Sequence, residues 1–492
     1  MKIFVGNIQS EIEYDIEKME YVRCYRKLRE FMSCNYAGSY WMKKNEKKFN
    51  GKRYFLTEKS KFATGFLPSI LKWLDESGID VEIIDQRKNF IEFREPIERV
   101  LPNGWLLTGE RAYQGDCVDL ATSNTIRVGG NEVYFPRGLV MAATNWGKQT
   151  FNVSVIQNSL NNAKWLFLCR GDVTYREALK FYKENFGNQV TEVNSSEMDF
   201  SGRIVIAMQK TLFNRAQKDM RVRVALGKIN GLIVDECHEA GGTEFSRLIT
   251  WINAYAKFFV SGTVQEVANP VKRLVISGCS GGILYKGTND EMIKKGISLR
   301  PIIHVYLNDE SVTHKNYEIA YSESVIYSEK RAKLILDEVL KAPKERTYIS
   351  FNIREHGRFL YEYFCKNAPQ LINRIDWTHG LDKERHEKIE RFKRGELDIL
   401  ICSLILKQSA NIPDMRKLIL AQGGKSKINV KQLVGRLIRN DGKNTTVDVV
   451  DFFDDSKWLS DHSVKRVNTY RKEGFEIVFH YSASIFGRPK KG

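Results

Sequence analysis

Long apolar runs are missing: the chain contains no stretch of 18 apolar residues. A helix that crosses a bilayer needs about 20, so no membrane span is expected. The opening MKIFVGNIQSEIEYDIE carries acids where a secretory or transit leader needs cations followed by an apolar segment. A cytoplasmic location without a membrane partner is the expectation. Cysteine pairing is absent too. Cys24, Cys34, Cys117, Cys169, Cys237, Cys279, Cys365 and Cys402 are scattered without a CxxC pair, several inside runs such as WLFLC and LDILIC. That pattern fits reduced core thiols rather than a zinc site or a disulfide framework. Low-complexity tracts, single-sign tails and internal repeats do not occur either, which excludes solenoids and long disordered arms.

The chain does have size and positive charge. Its 492 residues, 42% of them hydrophobic, leave room for about three domains with filled cores. Lysine and arginine number 77 against 60 acids, a formal charge of +17. Each phosphate neutralised by a cation releases condensed counterions, so nucleic acid is the first partner such a surface implies.

Pattern changes divide the chain into regions 1–95, 96–300 and 301–492. In the first, RYFLT (53–57) and VEIID (81–85) read as strands, and Leu67, Ile70, Leu71 and Leu74 form a helical stripe started by Pro68 and stopped by Gly78. A small α+β module follows from these. In the second, GLVMAAT, KWLFLC, RIVIAM, GLIVDE and KFFVSGT alternate with helix-like stretches, the signature of buried parallel strands with crossover helices. After a connecting stretch near 296–325 the alternation resumes with TYISF, LDILICS, KLILAQ and TTVDVVDF, separated by EKRAKLILDEVLK and KERHEKIERFKR. The fold class is therefore α/β, with two similar lobes in tandem behind a small accessory module.

Ala142-Ala143-Thr144-Asn145-Trp146-Gly147-Lys148-Gln149-Thr150 follows the strand LVMAA and opens a helix. Backbone N–H groups of such a turn can cradle phosphates while Lys148 reaches the outer ones. It departs from the usual loop twice: Ala142 stands at the first glycine, and Gln149 stands where a hydroxyl would hold magnesium. Thr150 is no substitute, because one more helical residue turns the side chain by about 100 degrees. The strand GLIVD then ends in Asp235, Glu236, Cys237 and His238. Nucleotide hydrolysis needs one carboxylate for the metal and another for the attacking water, and consecutive acids can divide these tasks. In the last region Gln432, Arg436 and Arg439 lie in QLVGRLIR, the arginines three apart on one helical face and suited to a γ-phosphate. Gly278-Cys279-Ser280-Gly281-Gly282 after the strand RLVIS fits the G-x-S-x-G pattern of a hydrolase elbow, an esterase reading that only the family resemblance given next argues against.

Taken together, these motifs resemble the superfamily 2 DExH helicases, most of all the phage UvsW-type branch-migration helicases, over about residues 105–475. The resemblance implies two tandem RecA-like P-loop lobes, with ATP and Mg2+ held between them and Asp235 and Gln149 nearest the metal. Within Arg111-Ala-Tyr113-Gln114 it implies that Arg111 and Gln114 read the adenine. It gives His238, Ser261 and Thr263 the coupling of hydrolysis to lobe movement. Nucleic-acid contacts are implied for Arg170, Gly171, Lys210, Thr211, Phe351, Asn352, His379, Gly380, Ser409, Gly424 and Lys425. In the N-terminal module Lys47, Lys48, Lys52 and Arg53, interleaved with Trp41, Phe49 and Tyr54, are candidates for backbone phosphates. Branched or forked DNA is the implied partner, together with phage replication or recombination proteins, for a monomer in a host cytoplasm. Gln149 and Ala142 leave open a non-hydrolysing nucleic-acid clamp, and the family also includes RNA-directed enzymes.

Overall fold

The computed structural model describes residues 1–36, 51–239, 241–267, 269–309, 316–403, 415–424, 431, 433–435, 446–456 and 458–480. It divides into two compact units, Met1–Ala142 with Trp146–Gly287, and Ala143–Asn145 with Thr288–Gly492. The first unit begins with a four-stranded sheet in the order Lys61–Ala63, Gln9–Glu13, Lys2–Val5, Glu82–Asp85. Helices Met19–Phe31 and Leu67–Glu76 supply Leu28, Leu67, Ile70, Leu71 and Leu74 to its core. That core does not stop near residue 95. The hairpin Thr125–Val128/Asn131–Tyr134 adds Ile126 and Val133, with Phe135 behind them.

The rest of the first unit is built on a seven-stranded parallel sheet. Its spatial order is Val190–Val193, Ile204–Met208, Trp165–Cys169, Gly231–Asp235, Ala256–Val260, Arg137–Ala142, Ile283–Gly287. Four of the five inner strands, Trp165–Cys169, Gly231–Asp235, Ala256–Val260 and Arg137–Ala142, are buried at every position, as expected of parallel strands with both faces covered. Two cations lie within them. Arg137 is kept in the core by donating to the carbonyls of Asn7 and Tyr255 at 3.1 and 3.0 Å, and burial pushes Lys257 down to about 7.

The second unit repeats the plan: Ile375–Thr378, Ile399–Ser403, Thr347–Phe351, Lys417–Leu420, Thr446–Asp454, Arg300–Asn308, Glu476–Phe479, all parallel. Numbered along the chain, both sheets read 3-4-2-5-6-1-7. Two tandem RecA-like lobes behind an α+β module are thus the architecture.

Two segments differ from expectation. The stretch near 296–325 holds a strand of nine residues, Arg300–Asn308, paired with Thr446–Asp454 along its whole length. Pro301 and the alternation of buried Ile303 and Val305 with half-exposed neighbours obscure it in the sequence. RLVIS is helical instead of extended, within Pro270–Ser280. Pro270 takes the first helical turn, and Asn269 caps it by accepting from the N–H groups of Val271 and Lys272 at 2.9 and 3.3 Å, which outweighs the β-branched residues. Ser280 is wholly buried and donates back to Ile276 O at 3.0 Å, so it is no exposed nucleophile. All eight cysteines are free, and no described helix is long and apolar enough to cross a membrane.

Candidate functional site

The first, sixth and fifth strands of the first sheet, Arg137–Ala142, Ala256–Val260 and Gly231–Asp235, are neighbours in one parallel register. The segments leaving their C-terminal ends are 143–148, Ser261-Gly-Thr263 and Asp235-Glu236, so topology alone gathers them. Open parallel sheets place ligands at such ends.

The turn before Lys148 is staked from below. Trp146 is wholly buried, its indole packed against Tyr113, Phe151 and Tyr285 with centroids 5.5, 6.2 and 5.5 Å away. Its carbonyl accepts from Tyr113 Oη at 2.9 Å and Gln114 Nε2 at 2.7 Å. The side chain of Trp146 is therefore an anchor, and only its backbone is left for the phosphate-cradling turn. Asn145 and Gly147 have φ of 67° and 95°. At Gly147 a Cβ would lie 2.1 Å from Gln114 Nε2, which restricts the position to glycine. Helix Lys148–Gln157 starts at once, with Gln149 and Thr150 in its first turn, and turns its N-terminal dipole toward the strand ends.

There the Lys148 ammonium pairs with Glu236. Glu236 Oε2 lies 3.1 Å from His238 Nδ1, and that nitrogen is 2.8 Å from Ser261 Oγ. The Thr263 N–H donates to the same hydroxyl at 3.3 Å. Glu236 has φ of 46°, a left-handed conformation that costs a non-glycine residue about 1–3 kcal/mol and tends to occur where function requires it. Charge is divided unequally between the acids. Burial raises the Asp235 carboxyl to about 6, despite Lys148. Glu236 is also disfavoured by burial, but the Lys148 ammonium and His238 outweigh it and hold this acid well below the usual carboxylate range. One acid is thus firmly ionised beside a cation, and its neighbour keeps a proton in reach.

Three residues of this region carry unpartnered polar atoms. Among the described residues, Gln114 Oε1, Gln149 Oε1 and Thr263 Oγ1 are buried without a hydrogen-bond partner. Gln149 Nε2 donates to Asp235 Oδ2 at 3.3 Å. Amide and carboxylate oxygens are both hard donors, and a terminal amide can present either atom, so Asp235 and Gln149 fit magnesium. Arg111 lies with its guanidinium 4.4 Å over Trp105, an exposed ring the sequence reading overlooked.

Other expected contacts distribute unevenly. Arg170 and Lys210 are exposed where Trp165–Cys169 and Ile204–Met208 end side by side, and Gly171 and Thr211 are the residues after them. In the second unit Asn352 and Gly380 are exposed, and His379 Nδ1 accepts from Leu381 N at 3.2 Å. The Gly424 carbonyl accepts from Arg466 at 2.8 Å. The Phe351 side chain is wholly buried in the hydrophobic core, where it packs the lobe, which leaves only its backbone for the expected contact. Lys52 is paired with Glu30, and the Arg53 guanidinium lies 5.4 Å over Phe55. Gln432, Arg436, Arg439, Ser409, Lys425, Lys47 and Lys48 lie outside the described residues.

Comparison with known proteins is consistent with this arrangement. Residues 109–266 match the family described as type III restriction enzyme, res subunit, and residues 330–441 match the helicase conserved C-terminal domain. The ATP-dependent DNA helicase uvsW of Enterobacteria phage T4 is 25% identical over 271 residues, covering 50% of this chain and 53% of that protein. The "Putative ATP-dependent helicase IRC3" of Saccharomyces cerevisiae is 21% identical over 370 residues, covering 70% and 51%. The chain thus spans about half the length of these two relatives. A fragment of a "putative HsdR subunit" of a type I restriction enzyme from Vibrio vulnificus shares the fold with a TM-score of 0.56 at 16% identity, covering 75% of this chain and 68% of that one.

Proposed function

For a chain that belongs to the superfamily 2 helicases and is related to UvsW, we propose the role of an ATP-dependent motor that remodels DNA. The observation that carries this reading is the linked set Lys148, Glu236, His238 and Ser261 on the ends of neighbouring strands. Lys148 exchanges Glu236 for the outer phosphates of ATP. Glu236, freed and ionised, orients the attacking water and takes its proton. His238 and Ser261 register that change, since both touch the same carboxylate. Asp235 and Gln149 would hold magnesium, whose charge would neutralise the phosphates when bound. Gln114 and Arg111 are assigned to the adenine, and Gln432, Arg436 and Arg439 to the γ-phosphate.

Arg170, Gly171, Lys210, Thr211, Asn352, His379, Gly380, Ser409, Gly424 and Lys425 are assigned to the nucleic-acid backbone. Backbone contacts make binding nearly sequence-independent and steeply salt-dependent. Branched DNA, a fork or a junction, is the proposed substrate, and phage replication and recombination repair the proposed setting. Phosphate release measured with forked DNA, linear duplex and double-stranded RNA of equal length tests this. Greatest stimulation by the fork, lost in Lys148→Ala, is expected. Turnover that ignores Lys148→Ala refutes the catalytic assignment, and greater stimulation by RNA refutes the choice of DNA.

A further inference from the structure

Five cations of the N-terminal module have counter-charges among the described residues. Lys2 pairs with Glu82, Lys61 with Glu11, Lys72 with Glu76, Arg29 with Glu58, and Lys52 with Glu30. Arg23, Arg26 and Lys27 are exposed and form no ion pair with a described acid. They lie on one helix, Met19–Phe31, where Arg23, Lys27 and Phe31 recur at four-residue spacing on one face and Arg26 adjoins them. The stripe spans about 12 Å. It ends on an apolar ring: Phe31 is 54% exposed and stacks on Trp73, centroids 6.1 Å apart and planes 29° apart. Trp73 is itself half-buried against the module's core, which fixes the outer ring in place.

Neighbouring like charges repel, and an exposed aromatic ring leaves apolar surface in water. A ligand that relieves both at once must carry regularly spaced anions beside flat apolar faces. A lipid surface supplies the anions but calls for a broad apolar helix face, and a single ring is present here. A nucleic-acid strand meets both needs, provided a base is unpaired, because in a duplex both faces of each base are covered.

We propose that the exposed face of helix Met19–Phe31 binds a nucleic-acid strand, with Arg23, Arg26 and Lys27 on its phosphates and Phe31, backed by Trp73, stacked on an unpaired base. The inference rests on the chain acting on nucleic acid and adds a contact outside the motor lobes. At a fork such a ring marks the place where pairing ends.

The test titrates the full chain against forked DNA carrying 2-aminopurine in an unpaired arm, at several salt concentrations. Wild type should quench the probe. Phe31→Ala should abolish quenching and weaken binding about five- to hundredfold, and Phe31→Trp should restore both. Arg23→Ala with Lys27→Ala should flatten the slope of log affinity against log salt by roughly 1.4. ATP turnover at saturating DNA should match wild type in every variant. Unchanged quenching, affinity and slope would overturn the proposal, and that is also the result expected if the face takes a protein. A chain that hydrolyses no ATP yet loses quenching in Phe31→Ala would refute the motor and leave this site standing.

Discussion

Before ATP can meet Lys148, the ion pair with Glu236 has to open, so Glu236→Gln should separate binding from hydrolysis. The side chains of Lys148 and Glu236 are 23% and 30% exposed. A pair so exposed contributes about 1 kcal/mol once solvent screening is counted. Removing the competing carboxylate should therefore tighten nucleotide binding about fivefold, the equilibrium equivalent of that energy. The same change removes the group that takes the proton from water, which should slow turnover by about 10² to 10⁴. Titration with a fluorescent ATP analogue reads the first effect and phosphate release under single-turnover conditions reads the second. Nucleotide binding weaker than wild type, or turnover at the wild-type rate, would refute the assignment of Glu236 as both counter-ion and base.

Gly147→Ala, with φ at 95° and its new Cβ 2.1 Å from Gln114 Nε2, should cost about 1–3 kcal/mol and lower the melting midpoint by several degrees, with loss of ATP binding. Wild-type melting would contradict the steric argument. Turnover should rise with pH through about 6 as Asp235 ionises, and added magnesium should move that limb to lower pH because metal and proton compete. The sign for stability is opposite: with its pKa raised above 3.8, Asp235 holds its proton longer when folded, so its contribution grows as pH falls from about 6 toward 3.8. A flat rate profile from about pH 5 to 8 would sink this. Gln149→Thr should lower the magnesium concentration for half-maximal turnover, and a raised requirement would show that the amide is the better ligand.

Much of this was legible because buried parallel strands announce themselves. GLVMAAT, WLFLC, RIVIAM, GLIVD and KFFV are apolar on both faces and end in Gly, Asn or charge, so the strands and the motifs at their ends could be read together. Arg300–Asn308 escaped notice because its alternation resembles a surface strand, although it joins two others in the second sheet. Helix Pro270–Ser280 was misread because capping by Asn269 carries more weight than the β-branched residues it precedes. Side-chain direction was the least legible property. Trp146 and Phe351 sit within family-like motifs, and only packing shows that both rings turn into the core. The division of protons between Asp235 and Glu236 was equally hidden, since it depends on Lys148 and His238 arriving from distant sequence.

The repeated 3-4-2-5-6-1-7 wiring has an arithmetic consequence. Where the fifth strand of the first sheet runs out into Asp235-Glu236, the fifth of the second, Lys417–Leu420, runs out into Ala421-Gln422, and Gln422 Oε1 accepts from Ser350 Oγ at 2.6 Å. A repeated scaffold thus carries acid chemistry in one copy and, in the other, a neutral amide whose oxygen already accepts a hydrogen bond. The expected stoichiometry is one triphosphate per polypeptide, not two.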